Sequence, residues 1–181
     1  VSSSAVFDYT QDAGTATAAS TVSSPTLSDF EVTGAVNNSF SNLPPNVLVT
    51  SNIYGWTNGG YAVVKFTIQN NEAAAINAVI GLEVIPQIDA AYGNEVVNYL
   101  SANNVVSISK NKHVGFKIFS SPLTTLTAFN WSTGYGNDAS YYQWLTTNTI
   151  QPSFNAGTDG AVVIMSQSPV TINPQATATV F

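Results

Sequence analysis

The chain contains no cysteine and no arginine, one histidine, one methionine, and only four lysines against ten carboxylates in 181 residues. Without thiols there can be no disulfide, no zinc-thiolate site and no cysteine nucleophile, so burial of apolar surface must supply the stability. Without arginine there is no bidentate grip on phosphate, and the cations are Lys65, Lys110, Lys112 and Lys117 alone. Nucleic acid is therefore not an expected partner. No apolar run approaches the ~20 residues that a membrane span requires, and no membrane insertion is expected. The opening Val1-Ser-Ser-Ser lacks both a basic and a hydrophobic signal segment, which implies that any export signal has been removed.

Charged residues make up 8% of the chain, against ~25% in an ordinary globular protein. Asn, Ser, Thr, Ala and Gly must then cover most of the surface, a composition associated with secreted or cell-surface proteins. The acidic residues give a net charge of -6 but are scattered, so they favour solubility and oppose anionic surfaces without marking a ligand.

Helical periodicity is also missing. Ala73-Ala74-Ala75 is too short to propagate in water, and Ala139 to Thr147 can make two turns at most. Period-two alternation dominates instead. In Tyr61 to Gln69, Ala62, Val64, Phe66 and Ile68 fall on one face, while Tyr61, Lys65, Thr67 and Gln69 point outward. Asn77 to Ile85 alternates in the same way, and the two runs read as sequential antiparallel partners. Further strands are expected at Ala5 to Tyr9, Phe30 to Val36, Val47 to Tyr54, Val105 to Ser109, Val114 to Phe119, Ala161 to Ser166, Val170 to Ile172 and Ala176 to Phe181. About ten short strands with turn signals between them predict an all-β, antiparallel β-sandwich of two packed sheets with little helix. Length and uniform composition suit a single domain over 1–181, with an N-terminal strand and arm at 1–27. Within that stretch, Thr10 to Leu27 reads as a long surface loop or an extended arm.

No residue pattern supports catalysis. His113 has no nucleophile-elbow companion, and the carboxylates offer no spacing that selects a glycosidase pair, so the chain is not expected to be an enzyme. Two loops present oxygen donors suited to calcium: Asp89, Asn94 and Glu95 in one, Asn137 and Asp138 in the other. Each suits an Asx-turn better than a calcium site, and no other cofactor is expected. Trp131, Tyr135, Tyr141, Tyr142 and Trp144 crowd into a short stretch with Gly134 and Gly136. Such rings stack on sugars, anchor protein interfaces or cap a core. Sequons at Asn37 and Asn130 mark two acceptors for an N-linked glycan.

Several segments together resemble the β-sandwich modules of large secreted and surface proteins of the Bacteroidetes and their relatives, exported by the type IX pathway. They are Ser51-Asn-Ile-Tyr-Gly-Trp56, Tyr61-Ala-Val-Val-Lys-Phe-Thr-Ile-Gln-Asn70, Ala78-Val-Ile-Gly-Leu-Glu-Val84 with the loop Asp89 to Tyr99, and the closing stretches Val163 to Pro174 and Ala176 to Phe181. The resemblance spans roughly residues 47 to 181. It implies an extracellular location and a non-catalytic role, and carries no set of functional residues with it.

Three functions follow from these readings. The first is a structural or adhesive surface protein, a filament or surface-layer subunit that binds its own copies or other surface proteins. Its assembly strands would be Val1, Ala5, Val6, Phe7 and Tyr9 at one end and Val180 and Phe181 at the other, apolar segments almost free of the charges that blunt sheet edges. The second is a polysaccharide-binding module that uses the aromatic cluster, and the third a secreted glycoside hydrolase.

Overall fold

The computed structural model describes residues 17–37, 46–133 and 138–181. They are mostly antiparallel β-structure with one short α-helix, in agreement with the predicted class. The chain divides into two compact units, one formed by Val79–Pro169 and the other by the described residues before 79 together with Val170–Phe181.

The Val79–Pro169 unit is a sandwich. One sheet consists of β6 (Gly81–Val84), β10 (Leu123–Asn130) and β12 (Ala161–Gln167) in the order β10-β12-β6. The other consists of β7 (Val96–Leu100), β8 (Val105–Ser109), β9 (His113–Phe116) and β11 (Ser153–Asn155) in the order β11-β7-β8-β9. The inner faces meet in one core. Leu126, Ala128, Val163 and Met165 come from the first sheet, Val97, Val106 and Ile108 from the second, and Ile88 from a 3₁₀ turn at Ile88–Ala90. The core follows from the strands' two-residue period, which sends alternate side chains inward. β12 departs from alternation: all seven of its residues are buried. It is the central strand of its sheet, and helix α1 (Asp138–Thr146) packs against both β10 and β12.

The other unit contains β1 (Thr17–Thr21), β2 (Phe30–Asn37), β3 (Val47–Gly55), β4 (Ala62–Asn70) and β14 (Thr177–Val180), paired in the order β1-β2-β3-β4-β14. β5 (Ile76–Ala78) pairs with β13 (Val170–Ile172) beside it. In the β4 register, Ile68 lies opposite Val49 and Ala178, and Phe66 opposite Ser51 and Val180. Of the face expected to be buried, Ile68 is buried, Val64 and Phe66 are half-buried, and Ala62 is exposed.

Two expectations are corrected here. The run from Asn77 to Ile85 is not one strand paired with Tyr61–Gln69. It breaks after Ala78, where the chain passes from one unit to the other; β5 pairs with β13, β6 pairs with β12, and β4 takes β3 and β14. Alternation shows which face of a strand is buried but does not show which strand lies beside it. Thr10 to Leu27 is not loop throughout, since Thr17–Thr21 pairs with β2. An edge strand can be held by backbone hydrogen bonds with few apolar side chains, so its sequence shows no pattern.

Candidate functional site

β6 and β9 are each the last strand of their sheet, and they border the same side of the Val79–Pro169 sandwich. Between them lies a cleft of about 380 Å³. Val84 lines it from β6, Val114 and Phe116 from β9, and Pro86 and Ile88 from the segment after β6. The cleft is therefore the open seam of the sandwich, with core residues at its floor and edge strands at its sides. Val114 is 42% exposed, an apolar side chain at the rim. The polar rim residues are Gln87, Asp89, Lys112 and His113.

Asp89 and Lys112 form an ion pair at 2.8 Å. Hydrogen bonds from Lys112 and then Asn111 hold the Asp89 carboxyl below its ordinary value of 3.8, and the same pair raises Lys112. His113 is exposed at the start of β9. The rim thus offers an ion pair beside an exposed imidazole.

The calcium-type loops resolve differently. Asp89 is engaged by Lys112. Asn94 has φ near +62° and donates its N–H to the Gly157 carbonyl at 2.8 Å. Glu95 is 0% exposed, its Oε2 accepting from the Ala161 N–H at 3.2 Å while its Oε1 has no partner among the described residues. Among the described residues, no three His, Cys, Asp or Glu side chains stand together as a metal site. Asn137 lies outside the described residues, as does the side chain of Asp138.

The structure divides the aromatic cluster. Trp144 packs on Phe129 of β10 with ring centroids 4.7 Å apart, and Tyr141 meets Trp144 edge-on at 5.2 Å. Tyr142 is half-buried on the same helix, where its carbonyl accepts from the Thr146 hydroxyl at 2.6 Å. Trp144 thus joins α1 to the sheet. Trp131, at the start of a 3₁₀ turn, instead faces Tyr92, with centroids 6.2 Å apart and planes tilted by 31°. Tyr92 is 51% exposed and Trp131 42%. Tyr92 had no local aromatic neighbour to signal it in the sequence. Tyr135 lies outside the described residues.

Of the assembly residues, Val1, Ala5, Val6, Phe7 and Tyr9 lie outside the described residues. Val180 is buried and pairs with Phe66 within its own sheet, and Phe181 follows it, partly exposed. The C-terminal strand is thus already used on one side by β4. Of the sequons, Asn37 is the last residue of β2, its side chain outside the description. Asn130 ends β10 and accepts the Gly157 N–H on its Oδ1 at 2.7 Å. Among the described residues, no helix is long and apolar enough to cross a membrane. Comparison with protein-family models, curated proteins and solved structures gave no match.

Proposed function

We propose that this chain is a non-catalytic extracellular structural protein that assembles by strand addition, the N-terminal segment of one copy filling the β6–β9 seam of the next. The observation that carries the reading is the seam itself: two edge strands bordering an apolar cleft that reaches the core. An edge strand templates another strand through its backbone, and a groove beside it selects alternate side chains. The sequence Ala5-Val-Phe-Asp-Tyr9 has that alternation, with Ala5, Phe7 and Tyr9 on one face. Five extended residues match the four-residue β9 in length. Residues Thr10 to Ala16 supply the reach before β1 begins at Thr17.

The added ladder contributes about 1 kcal/mol net per backbone hydrogen bond. Each apolar side chain seated in the cleft contributes about 1.5–3 kcal/mol. Together they offset the ordering of a short segment, at about 1–2 kcal/mol per residue. The resemblance to secreted β-sandwich modules and the low-charge surface accord with an extracellular site.

The test is assembly of the intact chain, followed by size exclusion and negative-stain microscopy. The full chain is expected to form polymers, and a chain lacking Val1 to Tyr9 to remain a folded monomer. Val114→Lys, at an exposed position on the receiving strand, should block assembly in the same way without unfolding the sandwich. A full chain that stays monomeric at high concentration, or polymers that survive both changes, would overturn the proposal.

A further inference from the structure

A second surface of the Val79–Pro169 unit has the chemistry of a ligand site. Three loops converge there: Tyr92-Gly93-Asn94 before β7, Trp131-Ser132 after β10, and Gly157 to Gly160 before β12. Their backbones are bonded together. The Asn94 N–H donates to the Gly157 carbonyl at 2.8 Å, and the Trp131 N–H to the Gly160 carbonyl at 2.9 Å. Gly160 has φ near +94°, and a Cβ there would stand 3.1 Å from the Tyr92 Cβ and 3.6 Å from Glu95 Oε2. The positive φ favours glycine here, and the backbone of residue 160 lies close against Tyr92.

The polar side of the site is Asp159. Its Oδ2 accepts from the Ser132 N–H, and bonding to Ser132 holds its carboxyl below the ordinary value of 3.8. It is a carboxylate held in place beside the Trp131 turn. Its Oδ1 stands 3.0 Å from where a Cβ on Gly157 would lie, and the Asn130 Oδ1 stands 3.5 Å from the same point. The nearby cation is Lys110, whose ammonium is turned to the carbonyls of Ala91 and Tyr92 at 3.4 Å each.

We propose that Tyr92, Trp131 and Asp159 form a binding site for a neutral pyranose unit of a polysaccharide. The C–H faces of a pyranose are apolar and lie on exposed aromatic faces, while its hydroxyls donate to a fixed carboxylate. A uronate or sulfated sugar would bring a second negative charge beside Asp159, which is disfavoured. This site shares none of its three residues with the cleft between β6 and β9, and it stands whether or not the chain polymerises.

The experiment is affinity electrophoresis of the full chain in gels containing a neutral β-glucan, a neutral mannan or polygalacturonate. At least one neutral polymer is expected to retard the protein and polygalacturonate is not. Tyr92→Ala and Trp131→Ala should each weaken retardation about tenfold, the loss of one stacked ring. Trp131→Phe, which keeps a ring, should retain most of the binding even if the alanine variant folds poorly. Asp159→Asn should weaken the neutral interaction and reduce the discrimination against polygalacturonate. Absence of retardation by both neutral polymers, unchanged retardation in Tyr92→Ala and Trp131→Ala, or stronger binding of polygalacturonate would overturn the inference.

Discussion

Asn70 shows how much one polar side chain can organise. It is 0% exposed, and its amide Nδ2 donates to the carbonyls of Ala74, Ile172 and Asn173 at 2.9, 3.0 and 3.2 Å. Its Oδ1 accepts the Glu72 N–H at 2.9 Å. One residue thus ties the end of β4 to the turn after it and to the chain leaving β13. Replacing it takes a donor from the buried Ile172 carbonyl, a loss of about 1–3 kcal/mol, and breaks the part-buried bonds to Ala74 and Asn173 as well. Asn70→Ala is expected to destabilise the unit by about 2–4 kcal/mol, and Asn70→Asp by more, because a carboxylate would face three acceptors. Urea unfolding monitored by tryptophan fluorescence would register both. In the sequence, Asn70 is one asparagine among many and was placed only at the border of a strand and a turn. Its role depends on carbonyls a hundred positions away, which no local pattern contains.

At the scale of elements, α1 and the Tyr92–Trp131 pair separate two uses of aromatic residues. A nine-residue helix is too short to persist alone, so its stability comes from contacts such as Trp144 on Phe129 and the Ser166 hydroxyl donating to the Leu145 carbonyl at 2.6 Å. Trp144→Ala should therefore cost about 2–4 kcal/mol, near the low end for loss of a large core aromatic because the ring is only half-buried. The same truncation at Trp131, which is 42% exposed and meets Tyr92 instead of the sheet, should change the midpoint of unfolding less. Equal losses at both positions would show that Trp131 also belongs to the packing. The sequence placed both tryptophans in one cluster because they are thirteen positions apart (131 to 144). The structure separates them, since the turn after β10 directs one ring toward Tyr92 and α1 lays the other on the sheet.

For the whole molecule, the balance of charge sets how strongly copies repel one another. At neutral pH the net charge is -6, and the pI lies near 4.2. Copies repel one another least where the net charge vanishes, so light scattering at fixed concentration should rise as pH falls from 7 toward that value. Asp89 and Asp159 oppose this trend locally, because each has a carboxyl held below 3.8. The sign follows from linkage: a depressed carboxyl adds stability that is complete above its unfolded value and is lost as pH falls through its folded value. Association should thus increase before these two carboxylates are protonated. Scattering that falls steadily between pH 7 and 4.2 would contradict this.

The sequence by itself determined the all-β class, the burial of Ile68 on the expected face of β4, the bounds of β8 and β13, and the exclusion of every chemistry that requires thiol or arginine. These are properties of residue type and of a two-residue period, and they act over a few positions at most. Only the tertiary structure decided that Asn77 to Ile85 is divided between two units, that Thr17–Thr21 is a strand, and that Val180 is paired inside its own sheet. It alone brought β6 and β9 to either side of one cleft, and Tyr92 from a distant loop to Trp131. Strand order, seams and convergent loops are set by pairing and packing between segments remote in the chain, where backbone hydrogen bonds carry no side-chain signature and many registers satisfy the same alternation.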